Sequence, residues 1–102
     1  MTAKIINEFR FLEQSSEILK SIAHPVRLGI MSLLFEHKNM TVTAIQKMID
    51  IEQAVTSYHL KIMKDSGIVE VKREGKCSFY KLKEEKYHNI INTLVDINLK
   101  SI

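Results

Sequence analysis

The sequence predicts a mainly α fold that combines about five helices with one small β-hairpin. In segment 41–69, apolar residues recur at helical spacing in two short runs, which a turn separates and a glycine closes. Two later stretches rich in Val, Ile, Phe and Tyr flank the turn sequence Glu74-Gly75-Lys76. Both ends of the chain carry further apolar residues at helical spacing. The whole of 1–102 is therefore predicted to be one domain built around a helix-turn-helix.

The first helix is predicted within Ala3 to Ile22, as one long or broken helix with Ser15-Ser16 as a possible interruption. Its apolar positions include Ile5, Phe9 and Leu12. They are more numerous than a lone surface helix of so small a domain requires. This helix is therefore expected to present a surface to a partner.

His24-Pro25 begins the second helix, because proline fits the first helical turn, where its missing amide is no loss. The residues from Val26 to Phe35 are almost all apolar, which predicts the central core helix. Histidine is a poor cap, so this start is expected to fray or to need another contact. Arg27 is expected to contact a helix end or a carboxylate, with DNA contact as the alternative. A polar loop is predicted from Glu36 to Met40.

The third helix is predicted to begin at Thr43, whose hydroxyl can cap the free amides while Gln46 reaches back. Its apolar positions are Ile45, Met48 and Ile49. The turn consists of Asp50-Ile51-Glu52, and Gly67 supplies the left-handed residue that ends the fourth helix. This spacing is that of a helix-turn-helix.

The fourth helix has one apolar and one polar face when successive residues are placed 100° apart. The apolar arc consists of Ile62, Val55, His59, Met63, Thr56 and Leu60. The polar arc consists of Gln53, Lys64, Ser57, Lys61, Ala54, Asp65 and Tyr58. Cations mixed with Gln, Ser and Tyr suit phosphate oxygens and base edges, although a plain solvent-facing side is an open alternative. His59 is expected to be a core residue with local hydrogen bonds rather than a metal ligand.

The hairpin is predicted to consist of strands from Ile68 to Arg73 and from Cys77 to Leu82. Between Gln53 and Leu82 there are six cations and three anions, whereas the remaining nine cations and nine anions cancel. The net charge of +3 therefore lies on the fourth helix and the hairpin. A solvated edge hairpin that uses lysine against edge-to-edge pairing is the alternative.

The last helix is predicted from Lys83 to Leu99, with Glu84-Glu85 as its acidic first turn. Its apolar residues span nearly half of its circumference; they are Tyr87, Ile90, Ile91, Leu94, Val95, Ile97 and Leu99. A terminal helix of a small domain seldom buries so much apolar surface against its own chain. A second partner surface is therefore expected here.

The chain resembles the ArsR-type (SmtB/ArsR) winged helix-turn-helix repressors in three ordered stretches: LKSIAHPVRLGIMSLL, TVTAIQKMIDIEQAVTSYHLKIMKDSGIV and VKREGKCSFYKL. The resemblance covers roughly Ile18 to Leu99, and Pro25 to Leu28 and Ser57 to Leu60 are among its most specific parts. It implies a cytoplasmic homodimer that represses transcription from an inverted-repeat operator of double-stranded DNA. The fourth helix would enter the major groove, and the hairpin, or wing, would follow the phosphate backbone or a minor groove.

On this resemblance the DNA contacts are expected to be Gln53, Ala54, Ser57, Tyr58 and Lys61 in the fourth helix and Lys72, Arg73 and Lys76 in the wing. The dimer interface is expected to pair the first and last helices through Ile5, Phe9, Leu12, Tyr87, Ile90, Ile91, Leu94 and Val95. Glu52 departs from the family's usual Ser or Thr at the helix start, and its carboxylate would repel a nearby phosphate.

The family's metal sites are not matched by this sequence. One is a Cys-x-Cys that aligns with Thr41-Val42-Thr43, and hydroxyls are poor ligands for thiophilic ions. The other falls on Glu84, Lys86, Ile97 and Lys100, of which only Glu84 could ligate. We therefore expect no metal and no cofactor. Cys77 is expected to be a small packing residue, and His88 could meet its symmetry mate on the dimer helix, while a sensory role for either stays open.

Composition sets outer bounds on the function. With 102 residues, 45% of them hydrophobic and 26% charged, the chain is typical of a globular domain. No apolar run approaches the ~20 residues of a membrane span, and a signal-peptide layout and paired cysteines are missing, so a cytosolic protein is expected. Without a Gly-rich phosphate loop or a His-Glu-x-x-His motif, an enzyme is not expected.

The sequence therefore predicts a DNA-binding transcriptional regulator, and two alternatives stay open. One is a winged-helix protein-interaction module that has lost DNA binding. The other is a repressor that senses an unidentified small-molecule or redox signal.

Overall fold

The computed structural model describes residues 8–101, with side chains described from 8 to 98. In chain order the elements are α1 (Phe9–Ile22), α2 (Pro25–His37), α3 (Val42–Ile49), α4 (Gln53–Asp65), β1 (Val69–Glu74), β2 (Cys77–Leu82), a short 3-10 helix (Glu85–Tyr87) and α5 (His88–Ser101). These elements form a mainly helical fold with one antiparallel hairpin, as the sequence predicts. Ile5, expected at the dimer interface, lies outside the described residues.

Helix α1 continues through Ser15-Ser16 without a break, so the possible interruption is wrong. Serine costs a helix interior only a few tenths of a kcal/mol, roughly, and the apolar residues on either side maintain the helical spacing. Among the described residues, no single helix combines the length and hydropathy needed to cross a membrane. Helices α1 and α2 have this length and hydropathy only when they are counted as one segment, and a bend of 91° separates them.

Helix α2 is the centre of the core, as predicted from its apolar composition. It packs against α3, α4, α5 and β2, and its Ile30, Met31 and Leu34 are fully buried. The buried apolar cluster consists of Ile22, Ile30, Met31, Leu34, Met40, Ile45, Leu60, Met63, Ile68, Val69 and Leu82. Every element of the helix-turn-helix and the base of the hairpin is thus fixed to α2.

The start of α2 is capped by His24, contrary to the expectation that histidine would leave it frayed. The imidazole Nδ1 accepts a hydrogen bond from the backbone N–H of Val26 at 3.1 Å. An imidazole nitrogen can replace the usual cap oxygen here, because Pro25 has no amide of its own and His24 is extended (φ −158°).

The loop between α2 and α3 makes a tight turn and then pairs with the hairpin. Lys38 has a φ of 69°, and the N–H of Asn39 donates to the carbonyl of His37 at 2.8 Å. Met40 then exchanges two backbone hydrogen bonds with Tyr80, of 3.0 and 2.8 Å. This pairing ties the helix-turn-helix to β2.

Helix α3 begins at Val42 with Thr41 as its cap, so the predicted start at Thr43 is wrong. The Thr41 hydroxyl accepts from the N–H of Ala44 at 3.2 Å, whereas Thr43 lies exposed within the first turn. Thr41 can cap because it is still extended where it leaves the bridge to Tyr80. Of the three apolar positions in α3, Ile45 is buried, Ile49 is half-buried and Met48 is 55% exposed.

The hairpin has the predicted strands, shifted by one residue at each end of β1. Val69 pairs with Leu82 and Glu74 with Cys77, and Gly75 takes the positive φ (62°) that a two-residue hairpin turn requires. Alternation places Cys77 on the face opposite the core-facing Leu82, so Cys77 is exposed rather than a packing residue.

The last helix begins at His88, five residues later than predicted. Lys83 still belongs to the sheet region, because its N–H donates to the carbonyl of Ile68 at 2.9 Å, and 85–87 form a single 3-10 turn. Three apolar residues of this region pack against the chain's own core: Tyr87, Ile90 and Ile91. His88 stacks on Phe35, with ring centroids 3.5 Å apart. Part of the apolar surface expected for a partner is therefore used within the chain.

Candidate nucleic-acid interface

The turn between α3 and α4 is held by local backbone geometry. Asp50 adopts the left-handed conformation (φ 63°), and its N–H donates to the carbonyl of Gln46 at 2.9 Å. The hydroxyl of Thr56 donates to the carbonyl of Glu52 at 3.1 Å, whereas the Glu52 carboxylate caps no amide. Gly67, with a φ of 79°, follows the end of α4 as predicted. The helix-turn-helix is therefore present with the predicted turn residues.

Helix α4 has the two faces that its sequence predicts, with a narrower buried face. Thr56, His59, Leu60 and Met63 are buried against the core. The five residues predicted to contact DNA in this helix are all exposed: Gln53, Ala54, Ser57, Tyr58 and Lys61. Val55 is 40% exposed and Ile62 half-buried, because both lie at the edge of the apolar arc, where the helix leaves the core.

One charge pair lies on the exposed face of α4. Lys61 contacts the Asp65 carboxylate at 2.9 Å, an i, i+4 pair, and both side chains are largely in solvent. The hydrogen bond from Lys61, followed by its charge, holds the pKa of Asp65 below its ordinary value. Lys61 is therefore shared between Asp65 and any ligand that approaches this face.

The six cations of α4 and the hairpin separate into two groups. Three form salt bridges with the three carboxylates of the same region: Lys61 with Asp65, Lys72 with Glu74 at 3.7 Å, and Lys81 with Glu70 at 3.2 Å. Lys64, Arg73 and Lys76 are exposed and form no salt bridge within residues 8–98. The local excess of three positive charges is thus carried by three specific side chains.

Of these three cations without a salt bridge, Lys64 is the one that the sequence prediction did not name as a DNA contact. It is assigned to the polar arc, but it was not named as a DNA contact. The signal that could have found it is its angular position, 20° from Gln53 when residues are placed 100° apart.

The wing cations point in different directions. Strand alternation places Arg73 on the hairpin face that carries Val69 and Val71, and Lys72 on the opposite face with Phe79. Arg73 lies opposite Ser78, beyond the buried base of the hairpin. A ligand along one face of the wing can therefore contact only one of these two residues.

A partly buried arginine–histidine contact lies on the side of α4 that faces α2. The Nε–H of Arg27 donates to Nδ1 of His59 at 3.0 Å, and Nη1 donates to the carbonyl of Ser21 at the end of α1 at 3.1 Å. His59 is 5% exposed, which agrees with its predicted place in the core, and Arg27 contacts a helix end as expected. Burial, then the nearby charges of His24 and Arg27, lower the pKa of His59 below its ordinary value. The pairing of Arg27 with His59 was not predicted, because the two residues are 32 positions apart.

The described residues that align with the family's metal sites either cap a helix or lie exposed at the surface. The Thr41 hydroxyl is engaged in capping, Thr43 is exposed, and Glu84 and Lys86 are exposed beside the 3-10 turn. Within the part of the chain that the structure describes, no three His, Cys, Asp or Glu side chains lie close enough together to hold a metal ion. The side chain of Lys100 is outside the described set.

Known proteins similar to this chain share one kind of fold. A family profile described as "Bacterial regulatory protein, arsR family" matches residues 24–71. The transcriptional repressor PagR of Bacillus anthracis is 34% identical over 87 residues, which are 85% of this chain and 87% of that protein. Its crystal structure has a TM-score of 0.77 to this chain, covering 85% of this chain and 99% of that one.

Two further solved structures cover almost the whole chain. The transcriptional repressor BigR from Xylella fastidiosa is 33% identical with a TM-score of 0.82, and the match covers 95% of this chain and 96% of that one. A homodimeric winged helix-turn-helix DNA-binding domain from Mycobacterium bovis, described as a possible ArsR-family transcriptional regulator, is 25% identical with a TM-score of 0.80. That match covers 100% of this chain and 96% of that one. The fold is thus a winged helix-turn-helix.

Proposed function

Because the chain belongs to the ArsR family of bacterial regulatory proteins, we propose that it is a homodimeric, cytoplasmic repressor of transcription that binds an inverted-repeat operator. Membership of the family makes it a DNA-binding transcriptional regulator. The homodimer, the operator symmetry and independence of metal ions are the parts that we propose.

The observation that carries the proposal is the distribution of charge over exposed residues. The exposed face of α4 presents Gln53, Ser57 and Tyr58, which can hydrogen-bond to base edges, beside the cations of the same helix. Arg73 and Lys76 add positive charge at the wing that no carboxylate neutralises among the described residues. We assign α4 to the major groove and the wing to the phosphate backbone, because base contacts need directed polar groups and phosphates need net positive charge.

The proposed dimer is supported by apolar side chains that remain in contact with water in the single chain. On α1, Phe9 is 68% exposed, and Phe11, Leu12 and Leu19 are also exposed. On α5, Val95 is 46% exposed and Leu94 is half-buried. Large apolar patches on a small domain mark interaction surfaces. A second copy is the partner we propose, as in the homodimeric relative from Mycobacterium bovis.

Of the expected interface residues, Tyr87, Ile90 and Ile91 are partly buried against the chain's own core, and we propose that they contribute less to the interface than the exposed apolar residues do. We propose that Phe11 and Leu19, which are exposed apolar residues of α1, belong to the interface as well, although the sequence prediction did not include them among the interface residues. The proposed interface is therefore centred on the outer faces of α1 and α5.

A mobility-shift experiment with fragments of the source genome tests the proposal. The protein should select a small set of fragments, and footprinting should show two protected half-sites about one helical turn apart, as a two-fold symmetric helix-turn-helix dimer requires. Sedimentation at micromolar concentration should give about twice the 11.8 kDa chain mass. A protein that binds no fragment, although it is folded and dimeric, would instead be a protein-interaction module with this fold.

A further inference from the structure

Arg27 connects three helices through two directed hydrogen bonds. Its Nη1 donates to the Ser21 carbonyl, the last turn of α1, and its Nε–H donates to His59 in α4. The residue itself lies in the first turn of α2. Because α4 is the helix that we assign to the major groove, this side chain links the outer helix α1 to the DNA-facing helix.

The contact requires one protonation state of His59. A guanidinium is always protonated and can only donate, so Nδ1 of His59 must carry a free lone pair. If Nδ1 were protonated, two N–H groups and two positive charges would face each other across 3.0 Å. The hydrogen bond therefore exists only with the neutral imidazole.

Within the described residues, the groups found in contact with His59 carry no negative charge that would compensate for a second positive charge. From α2 it is faced by Arg27 and by the His24 ring, whose centroid is 4.3 Å away. From α1 the Ser21 carbonyl accepts a hydrogen bond from Arg27, and on α4 itself the centroid of the Tyr58 ring lies 5.3 Å from that of His59. Among the described residues, no carboxylate forms a salt bridge with either Arg27 or His59.

We propose that Arg27 is a positioning residue that holds α4 in its DNA-binding orientation through neutral His59, so that protonation of His59 releases α4 and weakens DNA binding. This inference rests on the proposed DNA-binding function. Arg27 itself contacts no DNA in this proposal; it acts through His59.

The sign of the pH effect follows from the environment of His59. Burial and the charges of His24 and Arg27 lower its pKa in the folded protein below the ordinary 6.5. The stabilisation from the neutral imidazole is therefore complete above pH 6.5 and is lost as the pH falls from there toward the lowered pKa. Ordinary electrostatics acts in the opposite direction, since protonating exposed histidines makes a protein more cationic and strengthens its binding to phosphates.

A pH series of operator affinity tests the proposal with the fragment that the wild-type protein selects. Affinity should fall progressively as the pH is lowered from about 7.5 through 6.5 toward the lowered pKa of His59, over the range in which the protein stays folded. The variant His59→Asn, whose amide oxygen can accept from Arg27 but does not titrate, should bind as the wild type does at neutral pH and lose this decrease. The control His37→Asn replaces an exposed histidine at the end of α2 and should keep it. Affinity that rises with acid in the wild type would overturn the proposal.

The variant His59→Leu tests whether His59 acts by accepting the hydrogen bond from Arg27 or only by filling space in the core. Leucine fills the buried site but offers no acceptor, so DNA affinity should fall about fivefold or more at neutral pH, while His59→Asn stays close to the wild type. If leucine is tolerated and asparagine is not, His59 serves only as packing. Far-UV circular dichroism at each pH confirms that the variants remain folded.

A DNA-free measurement distinguishes failure of this inference from failure of the proposed function. In an NMR titration, the amides of α4 and of Ser21 should shift together with the His59 imidazole in the wild type, and Arg27→Ala should raise the pKa of His59. If no DNA fragment binds but these shifts occur, the proposed function is wrong and the arginine–histidine link is correct. Independent titration of His59, with α4 unmoved, would refute the link.

Discussion

Arg73→Ala and Lys72→Ala form a matched pair, because they remove neighbouring cations of one strand that differ in pairing and direction. Arg73 forms no salt bridge among the described residues, whereas Lys72 lies 3.7 Å from the Glu74 carboxylate on the opposite face. A phosphate contact releases close to one counterion, so each contact adds about 0.9 to the slope of log affinity against log salt. Since a dimer carries two copies, Arg73→Ala should flatten the slope by about 1.8.

The size of this effect can be measured directly. For a fourfold rise in salt, from about 50 to 200 mM, a slope difference of about 1.8 corresponds to a factor of about twelve in affinity. Across this range, the fold-decrease in the affinity of the wild-type protein should therefore be about twelve times the fold-decrease for Arg73→Ala. Lys72→Ala should change the slope by less than half as much, because Glu74 already neutralises that charge locally.

Fluorescence anisotropy with a labelled operator fragment, repeated at four or more salt concentrations, gives both slopes. A scrambled fragment of the same length is the control, because loss of a phosphate contact lowers affinity for every sequence alike. Equal slopes for the two variants would show that pairing and direction do not decide which cation contacts DNA. Two unchanged slopes would mean that the wing does not follow the backbone.

Three further predictions concern the dimer, the cap of α3 and metals. Val95→Glu would bury a charge at the interface, so the sedimenting species should change from about twice the 11.8 kDa chain mass to a single chain, without loss of helix content. The control Ile91→Glu should instead unfold the chain, because Ile91 packs against the chain's own core. Thr41→Ala should lower the free energy of unfolding in urea by ~1 kcal/mol, and Thr43→Ala by well under half of that; the opposite order would place the cap at Thr43. Zinc, cobalt or nickel should change operator affinity less than about twofold against a chelator control, and a saturable, stoichiometric zinc effect would contradict this.

The helix-turn-helix could be predicted because its signals are local. Pro25 can occupy only the first turn of a helix, and Gly67 takes a positive φ at little cost, so both boundaries are set by backbone chemistry. The polar face of α4 follows from periodicity in the same way. Exposure of all five residues predicted to contact DNA on this helix reflects that simple geometric rule.

The wrong predictions concern helix starts that are determined by hydrogen bonds to a distant part of the chain. Thr41 and Thr43 both have the spacing of a cap, and the backbone pairing of Met40 with Tyr80 decides in favour of Thr41. The start of the last helix is delayed because Lys83 still bonds to Ile68 across the sheet region. Local propensity contains neither of these contacts, so no reading of these segments alone could have found them.

The candidate site shows the same division. Which residues are exposed on α4 could be predicted, but which cations are neutralised depends on cross-strand and i, i+4 neighbours in three dimensions. The link from Arg27 to His59 joins residues 32 positions apart, and only the fold brings them together. Sequence patterns therefore predicted which residues of α4 are exposed, and the structure shows which cations form no salt bridge among the described residues.

The two hydrogen bonds between Met40 and Tyr80 have a consequence for the mechanics of binding. They join the loop before α3 to the middle of β2, so the helix-turn-helix and the wing cannot move independently at their base. In the proposed complex, while neutral His59 also holds α4, the groove-reading helix and the phosphate-contacting wing are positioned relative to each other before DNA arrives, which reduces the conformational entropy lost on binding. A duplex whose major groove and neighbouring backbone do not match the spacing of α4 and the wing must therefore be deformed to be bound.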